Sequence, residues 1–271
     1  MSKESDLQLM TCDKCGTPTT KRIEILGRVR TVRVLCECQA AEAYQKKLKE
    51  ENMERQIRIN TLIKNSLMDQ KFKDSNFQDW DFEKGSKQMF NIGFKYCEKF
   101  SEAKKKGLGL LIHGEPGNGK TYLSSCIANY LLSEGTPVIC VSIDALLGRI
   151  KETYSKWGQQ AEQDVIRGLQ NADLLIIDDL GAEKTSDWSV STIYNIIDGR
   201  YRQGLPLIIT TNLKINSDEI NGELANRYGR RTEDRILEMC TPILNKAKSI
   251  RIGEAKKKTK DLRDVLFGGN E

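Results

Sequence analysis

The sequence predicts an α/β fold: a five-stranded parallel sheet sandwiched by helices, with a small cysteine-bearing and helical module ahead of it. Three observations predict it. Gly114-Glu115-Pro116-Gly117-Asn118-Gly119-Lys120-Thr121 fits the phosphate-loop pattern G-x-x-x-x-G-K-[ST]. It lies between an apolar run at 108–113 and a helical pattern over 121–132, the strand–loop–helix context that the pattern requires. Apolar runs at 137–142, 173–181 and 207–212 show no polar alternation and so read as strands buried on both faces, as in parallel sheets. The third observation, four cysteines within the first 38 residues, marks the separate module.

Composition bounds the rest. A chain of 271 residues can bury one good core plus an accessory module, and 30% charged against 38% apolar residues predicts a heavily charged surface. No apolar run approaches the ~18 residues of a spanning helix, so no membrane association is expected. The opening Met1-Ser2-Lys3-Glu4-Ser5-Asp6 lacks a signal peptide's apolar segment. The expectation is a cytoplasmic protein whose eight cysteines stay reduced. The net charge of +5 is mild, but residues 246–263 hold eight basic against two acidic side chains. Such a tail suits a polyanionic partner, and solvation alone would also account for it.

In chain order, the first segment, 1–40, carries Cys12-Asp13-Lys14-Cys15-Gly16 and then Cys36-Glu37-Cys38. Cys-x-x-Cys-Gly presents two thiolates on one tight turn, and the 20 intervening residues suffice for a hairpin over 23–34 with Gly27 near its turn. A segment this short cannot cohere by apolar burial, so Cys12, Cys15, Cys36 and Cys38 are expected to hold a structural zinc ion. With four protein ligands, no position remains for catalysis. A redox pair or four unrelated thiols is the other reading.

Residues 41–84 form the next segment, a helical linker or docking element, with a loose stripe of Tyr44, Leu48, Met53, Ile57, Leu62 and Ile63 over 40–68. The aromatics of 71–80 are expected to pack on the main domain, base stacking being the alternative. That domain spans 85–252, opening with a helix that bears Met89, Ile92, Tyr96 and Phe100. In the phosphate loop, backbone N–H groups and the helix N-terminus would cradle a triphosphate; Lys120 would reach its outer phosphates, and Thr121 would ligate Mg²⁺. Helices are expected at 144–154 and 160–170, with Arg149, Lys151 and Lys156 as a possible strand-binding surface. The strand at 173–181 ends in Asp178, expected to hold Mg²⁺ through water, and Asp179, placed to polarise the attacking water. After a helix over 185–203, the strand at 207–212 ends in Asn212, which would contact the γ-phosphate or the water. Helices at 220–224 and 229–240 are expected to expose Arg227, Arg230, Arg231 and Arg235, guanidinium forks that a neighbouring subunit's phosphates could use. An edge strand within 241–252 precedes the basic tail, 253–271. His113 and Cys97, Cys126, Cys140 and Cys240 read as core.

GEPGNGKT, LLIIDDLGAE followed by Trp188, IYNIIDGRYRQGLPLIITTN and GRRTEDRILEMC together resemble AAA+ ATPases, specifically the bacterial replicative helicase-loader family typified by DnaC and DnaI. The resemblance covers most of 85–252. It implies ATP as cofactor, Asn212 as sensor 1, and an arginine finger at Arg231 or Arg235. It further implies a DnaB-type helicase held by the N-terminal module, single-stranded DNA on the ATPase surface, and ATP-dependent self-association. Asp179 stands where many such ATPases carry Glu, which points to slow hydrolysis suited to a switch. The short stretch after Ile252 predicts no helical lid with its sensor 2 arginine. The IstB-type transposition helpers share nearly the same motifs and would bind duplex DNA and a transposase, without need of a zinc module.

Overall fold

The computed structural model describes residues 10–25, 27–63, 73–215 and 222–267. Contacts divide the chain into two units, Met1–Glu54 and Arg55–Glu271.

The first unit is the expected hairpin. Strands β1 (Thr20–Ile25) and β2 (Arg28–Arg33) pair antiparallel, with Ile25 opposite Arg28. The two-residue connection places Gly27 at φ 73°, the left-handed region where glycine carries no Cβ penalty. Within the two strands only Thr20 is buried, so they share no apolar core and cohesion falls to the cysteines. Helix α1 (Glu37–Ile63) comes next. Tyr44, Leu48, Met53 and Ile57 are exposed on it, while the side chains of Leu62 and Ile63 lie outside the described residues.

The second unit begins with α2 (Lys87–Glu98) and α3 (Phe100–Lys105), then β3 (Gly109–His113) and α4 (Lys120–Ser133). Next come β4 (Val138–Ser142), α5 (Ile143–Asn171), β5 (Leu174–Leu180), α6 (Asp187–Gln203) and β6 (Leu207–Thr211). The chain closes with α7 (Glu223–Tyr228), α8 (Arg230–Met239), β7 (Cys240–Leu244) and α9 (Ile250–Phe267). The sheet order is β4-β5-β6-β3-β7, with every neighbouring pair parallel and β7 on the expected edge. Because successive side chains alternate across a strand, two cores form. Leu111, Val141, Leu175, Ile177 and Ile209 face α5, α6 and α8; Leu110, Ile112, Cys140, Ile176 and Ile208 face α2 and α4. Each such aliphatic side chain stabilises the fold by roughly 1.5–3 kcal/mol. His113 and the cysteines at 97, 126, 140 and 240 are buried.

The aromatics expected to pack on the main domain do so: Phe77 and Trp80 are buried in the core with Met89 and Ile127. Three other expectations change. The helices at 144–154 and 160–170 are one long element, broken only at Gly158 (φ 79°, ψ −173°). Residues 220 and 221 lie outside the described residues, and the helix there runs from Glu223. The expected basic tail is helical as far as it is described, α9 running from Ile250 to Phe267. Local sequence hides that helix, because residues 251–266 are exposed and lack the apolar stripe that marks a packed helix.

Candidate functional site

The carboxyl ends of β3, β5 and β6 converge, because the parallel strands share one direction and β3 and β5 both pair with β6. Ligands bind in such sheets at that edge. A cavity of about 340 Å³ opens there, lined by Gly117 to Thr121 of the phosphate loop, by Asp179 and Asn212, and by Asp79 to Asp81 and Lys84 to Ser86. It is large enough for a nucleotide-sized ligand.

The loop's shape follows from its glycines. Gly117 sits at φ 79° and a Cβ there would meet Ser249 Oγ at 2.5 Å, so both conformation and space demand glycine. Lys120 Nζ donates to the carbonyls of Gly114 and Glu115, each at 2.8 Å, and to Asn118 Oδ1 at 3.2 Å. Burial lowers its pKa below the ordinary lysine value, while Asp179 and Asp178 pull it back up. The ammonium thus rests on the loop's own oxygens while feeling the charge of both carboxylates.

Asp178 and Asp179 occupy different surroundings. Asp178 Oδ1 accepts from Thr210 Oγ1 at 2.6 Å, and Thr121 also donates to this carboxylate. Burial raises the Asp178 pKa above the usual aspartate value, with the two hydroxyls opposing it. Thr121 and Asp178 thereby present a hydroxyl and a carboxylate side by side, the hard oxygen donors that Mg²⁺ prefers. Asp179 is the one residue other than glycine at positive φ (58°) among the described residues, held there by its N–H to Thr210 Oγ1 at 2.8 Å. Asn212 Nδ2 donates to Asp179 Oδ1 at 2.8 Å. A non-glycine residue kept in the left-handed region at a ligand cavity is the kind of strain that surrounding structure must impose.

Two features of the site have no local sequence signature. Asn245, buried just after β7, clamps the loop: its Nδ2 donates to Asn118 O at 2.9 Å, and Asn118 Nδ2 donates back to Asn245 O at 2.8 Å. Its own N–H reaches His113 O, and Ile250 N–H reaches Gly117 O at 2.9 Å. Arg251, in the first turn of α9, lines the cavity and adds a positive charge near Lys120.

The arginines and lysines expected at the surface divide sharply. Arg230 and Arg231 are exposed at the start of α8. Arg235 instead pairs with Asp198 at 2.7 Å and lies over the Tyr194 and Tyr201 rings. Arg227 pairs with the buried Glu183 at 3.3 Å. On α5, Arg149 is buried and bonded to Glu152 at 2.8 Å, Lys156 joins the same carboxylate, and Lys151 sits 4.7 Å over Trp188. These cations are engaged within the chain, whereas Tyr154 and Trp157 beside the Gly158 break stand exposed.

In the first unit Cys12, Cys15, Cys36 and Cys38 meet, all four sulfurs within 4.8 Å of one another. A tetrahedral ion with ~2.3 Å metal–sulfur bonds needs sulfurs about 3.8 Å apart, so the donor set fits. The amides of Lys14 and Cys15 and the neighbouring thiols push the Cys12 pKa down. Thr17 pushes Cys15 down to about 6. Cys38, crowded by the other three sulfurs, is pushed up. That crowding of developing negative charge is what a divalent cation would relieve.

Fold and site together define an AAA+ phosphate-loop ATP-binding protein. The chain belongs to the IstB-like ATP-binding protein family, whose model matches residues 37–258. Among named proteins, it is 27% identical over 162 residues to the replicative helicase loader DnaC of Escherichia coli K12, covering 59% of this chain and 62% of that one. It is 26% identical over 145 residues to DnaC of Buchnera aphidicola from Schizaphis graminum, covering 53% and 58%. To the replicative helicase loader DnaI of Bacillus subtilis it is 25% identical over 201 residues, covering 70% and 63%. The chain thus spans about three-fifths of the length of these relatives. A crystal structure of the DnaC helicase loader superposes with a TM-score of 0.55 at 25% identity, over 66% of this chain and all of that one. No helix among the described residues is long and apolar enough to cross a membrane.

Proposed function

We propose that this chain is an ATP-responsive loader of a replicative DnaB-type helicase onto single-stranded DNA, working in the cytoplasm as a slow switch. The observation that carries the reading is the conjunction, in one chain, of a Cys₄ hairpin with an AAA+ nucleotide site whose relatives are named helicase loaders. The hairpin would hold zinc and, with α1, dock the helicase; the exposed Tyr44, Leu48, Met53 and Ile57 offer apolar contact area there.

ATP would lie with its phosphates on the loop. Lys120 would neutralise the outer phosphates, and Thr121 and Asp178 would hold Mg²⁺, which polarises the phosphoryl oxygens when bound. Asp179 would orient water and Asn212 would fix Asp179. The aspartate is one methylene shorter than the glutamate many relatives of this fold use, and it is restrained by Asn212, which supports slow turnover. Arg231, exposed at the head of α8, would complete the site of a neighbouring copy, favouring an ATP-dependent oligomer. Arg235 would serve only after leaving Asp198. For single-stranded DNA, Tyr154 and Trp157 provide rings on which bases can stack.

The test is gel filtration of the full chain with a DnaB-type helicase, in ATP and in ADP. Co-elution that depends on the nucleotide supports the reading, and absence of any complex in either state sinks it. The IstB-type transposition helper is the alternative; duplex DNA bending by an ATP-bound oligomer, with no helicase complex, would establish it instead.

A further inference from the structure

The DDLGAE run places a third carboxylate, Glu183, a few residues beyond the catalytic pair, and its surroundings differ entirely from theirs. Glu183 is 3% exposed and faces the arginine-bearing helices rather than the cavity. Its Oε2 accepts from Gly181 N–H at 3.0 Å. Its Oε1 accepts from Tyr228 Oη at 2.5 Å and Arg227 Nε at 3.3 Å, and Arg227 also donates to its backbone carbonyl. A single buried carboxylate therefore joins the end of β5, two residues past the strained Asp179, to the last two residues of α7.

The segment after α7 gives that joint its meaning. Gly229, at φ 81° and ψ 151°, breaks the helical path between α7 and α8. Arg230 and Arg231 come directly after it, both exposed. Tyr228 and Thr232 are buried on either side, and Thr232 Oγ1 donates to Tyr228 O at 2.8 Å, so the head of α8 moves with Tyr228. The path runs by hydrogen bond from Asn212 to Asp179, along the backbone to Gly181, by hydrogen bonds through Glu183 to Tyr228 and from Tyr228 to Thr232, and along the backbone to the adjacent Arg231. It starts at groups that line the nucleotide cavity and ends at a guanidinium on the surface.

We propose that Glu183 is a positioning residue that couples the occupant of the cavity to the presentation of Arg230 and Arg231 to a neighbouring copy. A γ-phosphate that draws Asn212 or Asp179 toward it shifts the turn at Gly181, and Glu183 transmits the shift to Tyr228 and Gly229. By thermodynamic reciprocity, a neighbour that seats Arg231 favours the same arrangement of Asp179. The proposal rests on the reading that Arg231 completes a neighbour's site.

The experiment uses the full chain and its variants Glu183→Gln and Tyr228→Phe, each also in an Arg231→Ala background. Two quantities are read: nucleotide affinity at protein concentrations too low for assembly, and ATP-driven self-association by sedimentation. Glu183→Gln is expected to leave dilute nucleotide affinity nearly unchanged and to weaken ATP-driven assembly about 5- to 150-fold, the span of a typical coupling between two sites. Tyr228→Phe, which keeps the packing of the ring, is expected to do the same more weakly. In the Arg231→Ala background neither change should have a further effect. Equal losses in both readouts, or effects that simply add to those of Arg231→Ala, would show a structural role and overturn the proposal. Assembly indifferent to Glu183→Gln overturns it alone, whereas a parent that stays monomeric in ATP overturns the intersubunit reading and the coupling with it.

Discussion

Replacing Asn245 with alanine isolates the clamp between the segment after β7 and the phosphate loop. The substitution removes two hydrogen bonds, from Asn245 Nδ2 to Asn118 O at 2.9 Å and from Ala247 N–H to Asn245 Oδ1 at 3.1 Å. The backbone bonds of residue 245, to His113 O and from Asn118 Nδ2, survive. Asn118 is only 2% exposed, so its carbonyl loses its partner in a place water reaches poorly. An unsatisfied buried acceptor costs about 1–3 kcal/mol, and the half-exposed Ala247 amide adds about 0.5–1. A total near 1.5–4 kcal/mol lowers the melting temperature by a few degrees per kcal/mol for a unit of this size. Because the strain falls on the loop that binds phosphates, ATP affinity should weaken by about tenfold for every 1.4 kcal/mol that binding must restore. Calorimetry of the ATP-free chain and titration with ATP read the two effects. An Asn118→Ala, Asn245→Ala double variant should lose less than the sum of the singles. A single variant with unchanged melting and unchanged ATP affinity would refute the reasoning.

The other expectations concern separate parts of the molecule. Asp178 has a folded pKa raised above 3.8, so the folded chain takes its proton before the unfolded chain does. Without metal, stability should therefore gain a contribution as pH falls from that raised value toward 3.8, and Asp178→Asn should remove this part of the pH dependence of melting. Identical slopes for parent and variant would sink the assignment. In chelator, with no metal on the cysteines, iodoacetamide near neutral pH should label Cys15 ahead of Cys38, since Cys15 is exposed with a pKa of about 6; mass spectrometry of labelled peptides shows the order. Arg200→Ala should cost at least about 1–3 kcal/mol in denaturant unfolding, the cost of one buried carbonyl left without a donor. Its buried guanidinium bonds the carbonyls of Leu169 at 2.8 Å and Ala172 at 2.9 Å, and also Pro206. A cost under about 1 kcal/mol would show those carbonyls find other partners.

Legibility in the residues alone divides along physical lines. The strands were legible because burial on both faces writes unbroken apolar runs such as Leu174 to Ile177, and the phosphate loop because its glycines are required locally. The cysteine pairs were legible because a metal knuckle has fixed spacing. Asn245, Arg251 and Glu183 were hidden for the opposite reason. The groups that give them their roles, Asn118, Lys120 and Tyr228, lie far from them in sequence. The arginines show the same limit from the other side: a basic side chain reads alike whether it ends in solvent, like Arg231, or on an aspartate, like Arg235.

The Asn118–Asn245 clamp joins positions 127 residues apart in sequence. During synthesis the glycine loop is made early and its brace late: at roughly 5–20 residues per second, some 6–25 seconds separate the two. A nascent chain thus carries the recognisable loop well before it carries a finished nucleotide site. The brace that completes the phosphate loop arrives with the last strand and the first turn of α9, after the four-cysteine hairpin has emerged. On the proposed loader reading, the module offered to the helicase would be ready before the nucleotide site that governs it.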